Sequence, residues 1–180
     1  MIAECMLFLA SFSTPPIGTE AEFINTTLEC RQEIPASMRE HAEYYIEHFD
    51  YENIDTAVRI GWCESRGKES AFRSDNSDSG IMQFIPSTWN WIAELHDLPK
   101  WNTWVITYRG YPWKGHPKDT PTDLSNMEFT KVQFSPYYNI LFASLLAEDT
   151  YNRTQWKDWN SSKWCWGNEN KWEKLWKAEA

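Results

Sequence analysis

A chain of 180 residues can bury a hydrophobic core within one domain without depending on cross-links. Its formal charge of -9 lacks the basic footprint that phosphate contacts need, so nucleic acid is not an expected partner. No apolar run is long enough for stable insertion across a bilayer. The 12 tryptophans point to a thick core, a groove built from flat rings, or both.

In chain order, the first feature is a short apolar stretch from Cys5 to Phe12, broken by Pro15-Pro16. It fits the hydrophobic part of a secretory signal, although Glu4 stands where a positive charge belongs; a disordered tail is the alternative. Residues 14–35 read as irregular, which sets residues 1–35 apart from a domain over 36–180. Ser37 with Glu40 has the spacing of a capping box. Met38, Ala42, Tyr45, Ile46 and Phe49 then recur on one helical face. A second helix is expected from near Asn53, carrying Ile54, Ala57, Val58, Gly61 and Trp62 in register and stopping at Gly67. Glu64 is thereby placed in its last turn. The stretch AFRSDNSDSGIMQF has short apolar ends around a polar middle, the composition of a small hairpin with an irregular tip.

Pro86-Ser87 opens a helix carrying Trp89, Ile92, Ala93 and His96. Residues 100–131 are rich in Pro, Gly, Trp and Tyr without a sustained period, an insert long enough to be functional or disordered. Ser135-Pro136 starts another helix, and PYYNILFASLLA is apolar nearly all the way round, as a buried central helix requires. A Trp-rich segment, QWKDWNSSKWCWG, leads to a closing amphipathic helix with Trp172, Leu175 and Trp176. The expected fold class is mostly α (α+β), with helical lobes and one small hairpin.

Glu64 flanks the buried face of its helix and sits at the negative end of the helix dipole. Both effects raise a carboxyl pKa toward the range a general acid needs; the plain alternative is a surface residue paired with Arg66 or Lys68. Other candidates are weaker. Cys63 as a nucleophile has no recognisable His partner, and Ser65 has no adjacent base. DNSDSG begins like a calcium loop, but the position of the closing Glu falls on Pro86. Cysteines at 5, 30, 63 and 165 form no CxxC and have no His at zinc-ligand spacing, so no metal and no cofactor is expected. Their even count and wide spacing fit two disulfides in an exported protein, or four buried thiols.

The order Cys63-Glu64-Ser65, then a hairpin-like polar stretch, then GIMQFIPSTW, resembles the lytic transglycosylases of the lysozyme-like superfamily. A Cys directly before the Glu is similar to the pattern of resuscitation-promoting factors. The resemblance covers roughly residues 53–96 and 135–167. It implies a lysozyme-like fold in which Glu64 is the acid/base, Ser65 helps orient it and Gln83 lines the sugar cleft. Met82 and Phe84 would form the cleft wall or the core beneath. It also implies that Cys63 pairs with Cys165, leaving Cys5 and Cys30 as the complementary pair.

The insert at 100–131 departs from the family pattern, and an Ala-Tyr-Asn segment after the central helix is missing. Asn139 and Tyr151 are the remaining cleft candidates. Trp101, Trp104, Tyr108 and Trp113 on the insert either stack on sugar rings or pack against the core. The implied activity is cleavage of the MurNAc–GlcNAc bond of peptidoglycan with a single Glu, giving 1,6-anhydro products. In a hydrolytic variant Asp75 or Asp78 would be the second carboxylate, although shaping the turn is the role expected of both. The alternative from another class is a non-catalytic glycan-binding or virion structural protein with the same fold. Peptidoglycan glycan strands are the expected partner, a monomer the expected state, and the cell wall, periplasm or a virion the expected place, as for a phage lysin.

Overall fold

The computed structural model describes residues 2–11, 20–75, 77–108, 111–112, 127–148 and 155–179. It is mostly helical with a small antiparallel sheet. The chain begins with α1 (Ile2–Ser11) over the apolar stretch and α2 (Glu20–Glu33), where helix replaces the irregular chain expected of residues 14–35. Ile2, Ala3, Cys5 and Met6 of α1 are buried, and α1 packs against α4 (Ala42–His48) and α5 (Tyr51–Ser65). Polar and charged residues dominate α2, which leaves little apolar stripe to read. Tertiary ties hold it instead: Phe8 meets Phe23 at 5.3 Å between ring centroids, and Cys5 and Cys30 lie at disulfide distance, Cα–Cα 5.2 Å.

The capping box does not form. Pro35 takes the N-cap position of α3 (Ala36–Arg39), which moves Ser37 inside the helix and makes Glu40 its C-cap. The chain turns at Glu40 and His41 before α4 restarts, yet Met38, Ala42, Tyr45 and Phe49 are all buried as the stripe requires. Helix α5 runs to Ser65 and ends on Arg66, whose left-handed φ of 60° returns its N–H to the carbonyl of Trp62. A side chain at Gly61 would collide with the Tyr45 hydroxyl, so glycine allows α4 and α5 to cross closely.

The stretch after α5 is less regular than a hairpin. Isolated bridges join Phe72 to Ser79 and Ser79 to Phe84, and Gly80–Gln83 is a turn rather than a strand. Helix α6 (Pro86–His96) begins at proline as expected and buries Trp89, whose ring stacks on Phe142 at 3.8 Å. The insert contains β-structure that its Pro and Gly content hid: β1 (Trp104–Tyr108) pairs antiparallel with β3 (Met127–Lys131), and β2 (Tyr111–Pro112) adds to the other edge of β1. Trp101 packs edge-on against Trp89 at 5.8 Å, whereas Trp104 is 62% exposed. Tyr108 lies on β1, and Trp113 falls outside the described residues.

Helix α7 (Pro136–Glu148) is central, with Asn139, Ile140, Phe142, Ala143, Ser144, Leu146 and Ala147 buried. After a 3-10 segment, Lys157–Ser162, come α8 (Lys163–Trp166) and α9 (Glu169–Glu179). Trp172 of α9 meets Trp62 of α5 edge-to-face, so the closing helix packs on the first half of the chain. One connected cluster of buried side chains runs from Ile2 to Trp176. None of the described helices is long and apolar enough to cross a membrane.

Candidate active site

A groove of about 420 Å³ opens beside the end of α5, lined in part by Glu64, Arg73, Asp78, Gln83, Asp158 and Trp159. Glu64 stands half-buried in the last turn of α5, where the sequence places it. The preceding residue ties this turn to the C-terminal segment: Cys63 and Cys165 lie at disulfide distance, with Cα–Cα 6.0 Å. The same tie brings Ser162 to the carboxylate, and its Oγ donates to Glu64 Oε1 at 2.5 Å. Burial pushes the Glu64 carboxyl above its ordinary range. The Ser162 hydroxyl pulls it partly back, the negative charge of Asp78 pushes it up again, and the Arg73 guanidinium lowers it. A carboxyl held in this way can keep its proton nearer neutrality and release it to a group in the groove.

The segment opposite Glu64 is shaped by one buried amide. Asn139 is 0% exposed; its Oδ1 accepts from the Met82 N–H at 2.7 Å, and its Nδ2 donates to the carbonyls of Ser79 at 3.2 Å and Gln133 at 3.0 Å. It is therefore a strut beneath the site and not the sugar contact expected of it. Gly80 passes over this amide with φ 79°, and a Cβ there would strike Asn139 and the Gln133 carbonyl. Gln83 follows with φ 52° and lines the groove, its Nε2 donating to the Gly80 carbonyl at 2.8 Å and the Ala71 carbonyl at 3.2 Å. Met82 is 0% exposed, with its sulfur taking the Tyr45 hydroxyl and its carbonyl taking Trp159 Nε1 at 2.9 Å. It thus lines the groove from the core beneath.

Ser65 does not reach the Glu64 carboxylate. Its hydroxyl donates to the Gly61 carbonyl at 3.0 Å and accepts from the Gly67 N–H at 3.1 Å, so it caps the helix end instead of holding Glu64. The orienting hydroxyl is that of Ser162. Of the two hairpin aspartates, Asp78 is nearly buried beside Glu64 with its carboxylate 3.6 Å from Arg73, whereas Asp75 is 65% exposed on the outer side of the same guanidinium. Tyr151 lies outside the described residues.

Asp158, Trp159 and Ser162 are site residues that sequence reasoning passed over. A signal for them existed. If Cys165 is held next to the residue before Glu64, Ser162, three positions earlier, is brought within reach of the carboxylate, and Asp158 and Trp159 follow one further turn back. Among the described residues, no group of three or more His, Cys, Asp or Glu side chains is placed to hold a metal ion. No family model matches the chain, and neither does a curated protein or a solved structure.

Proposed function

We propose that the chain cleaves the MurNAc–GlcNAc β-1,4-glycosidic bond of peptidoglycan, with a lysozyme-like arrangement of helical lobes about its groove and Glu64 as general acid, then base. The observation that carries this reading is the Glu64 carboxyl: half-buried at a helix end, hydrogen-bonded by Ser162 and open to a groove shared with Asp78 and Trp159. Its motif context, Cys63-Glu64-Ser65 followed by GIMQF, agrees with the resemblance to lytic transglycosylases. In the reaction Glu64 gives its proton to the glycosidic oxygen as that bond breaks. The sugar's acetamido group supports the electron-poor anomeric carbon. The muramic acid 6-hydroxyl then closes onto that carbon while Glu64 recovers a proton from it, so no water is consumed. Two cysteine pairs at disulfide distance favour an oxidising compartment, such as the cell exterior or a virion.

One observation favours a second reading. Asp78 lines the same groove and bears on the charge of Glu64, as the second carboxylate of a hydrolase would. Mass analysis of the products from purified sacculi separates the two. Anhydro ends, about 18 mass units lighter than reducing ends, with most activity kept in Asp78→Asn, support the transglycosylase. Reducing ends and a dead Asp78→Asn variant support the hydrolase. Sacculi that sediment with the protein but are not shortened refute both.

A further inference from the structure

Ser162 holds one hydroxyl proton between two acceptors and under one donor. Its Oγ lies 2.5 Å from Glu64 Oε1 and 3.0 Å from the Trp159 carbonyl, and it receives the indole N–H of Trp166 at 3.1 Å. Trp166 Nε1 also points to the Trp159 carbonyl at 3.0 Å, so this N–H is shared between them. We propose that Ser162 is a positioning residue that holds Glu64 by Oε1 in both of its protonation states, so that the catalytic proton is carried on the other carboxyl oxygen. The proposal rests on the reading of Glu64 as acid and base, and it names the device that would let one carboxyl serve as both.

When Glu64 is ionised, the Ser162 O–H donates to Oε1, and the Trp166 N–H polarises the hydroxyl from behind. When Glu64 carries its proton on the other carboxyl oxygen, ready for the glycosidic oxygen, Oε1 remains an acceptor and the Ser162 O–H keeps donating to it. Each state leaves the serine proton with an acceptor. The frame around this contact is stiff. Trp159 and Trp166 are 5% and 7% exposed, and Cys63–Cys165 links the residue before Glu64 to α8, which begins directly after Ser162. The other charged groups facing Glu64 across the groove are Asp78, Arg73 and Asp158; the two ionised carboxylates can donate no hydrogen bond to Oε1.

The bond is stronger when Glu64 is ionised, because a bond to a carboxylate is stronger than one to a neutral carboxyl. Removing the hydroxyl must therefore favour the protonated form of Glu64. The test is carbon NMR of carboxyl-labelled glutamate, with the Glu64 signal assigned by its loss in Glu64→Gln. Its titration is followed in the wild type, Ser162→Ala and Ser162→Thr. The midpoint is expected to move up in Ser162→Ala and to return toward the wild type in Ser162→Thr, which restores a hydroxyl. On sacculi, turnover is expected to fall about tenfold in Ser162→Ala, with the alkaline limb of its pH profile displaced the same way. An unmoved midpoint in Ser162→Ala, or a threonine that behaves like alanine while remaining folded, overturns the proposal. A displaced midpoint in a protein that cleaves no glycan would leave Ser162 as the partner of Glu64 and refute the proposed function alone.

Discussion

Replacing Asn139 by alanine removes three hydrogen bonds from a fully buried point beneath the groove. The Met82 N–H loses its acceptor, at about 1–3 kcal/mol for a buried unpaired donor, and each of the two carbonyls loses a bond worth about 1 kcal/mol. The expected destabilisation is about 3–5 kcal/mol, a large part of the stability of an ordinary domain. It should be read from urea unfolding followed by tryptophan fluorescence with the cysteine pairs left oxidised. Activity should fall with it even at temperatures where the variant stays folded, because the Gly80–Gln83 turn loses its anchor. Asn139→Asp sharpens the test. It keeps the acceptor for Met82 but aims a carboxylate oxygen at two carbonyls, so it should be less stable at pH 7 than at pH 4 relative to wild type. A loss below about 1 kcal/mol for alanine, with an aspartate variant indifferent to pH, would refute the strut.

Burial raises the folded pKa of Glu64 above the ordinary carboxyl value of 4.5, so ionising it costs stability as pH rises from there through the folded pKa. Glu64→Gln should accordingly gain urea midpoint over the wild type at pH 7 relative to pH 4; a gain no larger at pH 7 would contradict the shift. Burial depresses the pKa of His41, which lies 3.3 Å from the Gly67 carbonyl, so its contribution is present above about pH 6.5 and is lost as pH falls through the lower folded value. The midpoint's decline below that pH should flatten in His41→Gln, and an unchanged slope would remove His41 from the acid response. Opening Cys63–Cys165, 102 residues apart, should cost about 4.7 kcal/mol on the chain-entropy account. Opening Cys5–Cys30, 25 apart, should cost about 3.5 kcal/mol on the same account. Calorimetry of each Cys→Ser pair would show whether that order is reversed.

What was legible in the chain was mostly local. The α5 stripe and its stop signal placed Glu64 in the last turn, and prolines at 86 and 136 marked two helix starts without knowledge of their neighbours. The apolar circumference of α7 announced its central position, but not what its single buried amide was for. The family resemblance makes Asn139 a cleft candidate, whereas its actual partners, Met82, Ser79 and Gln133, are brought to it only by folding. A lone amide inside an apolar helix must find such partners, and that requirement was the usable clue. Strand β3 pairs with a strand from the other end of the insert, a non-local pairing that no local pattern in the chain displays. The capping spacing at Ser37 failed because Pro35 entered the helix boundary first.

The central claim is that Glu64 transfers the proton that breaks a peptidoglycan glycosidic bond. Its most direct measurement is the rate of muropeptide release from purified sacculi by the wild type and by Glu64→Gln, with the products identified by mass. The account expects soluble 1,6-anhydromuropeptides from the wild type and a rate at least about a hundredfold lower from a folded Glu64→Gln. Comparable release by the two proteins, or none by the wild type, would contradict it.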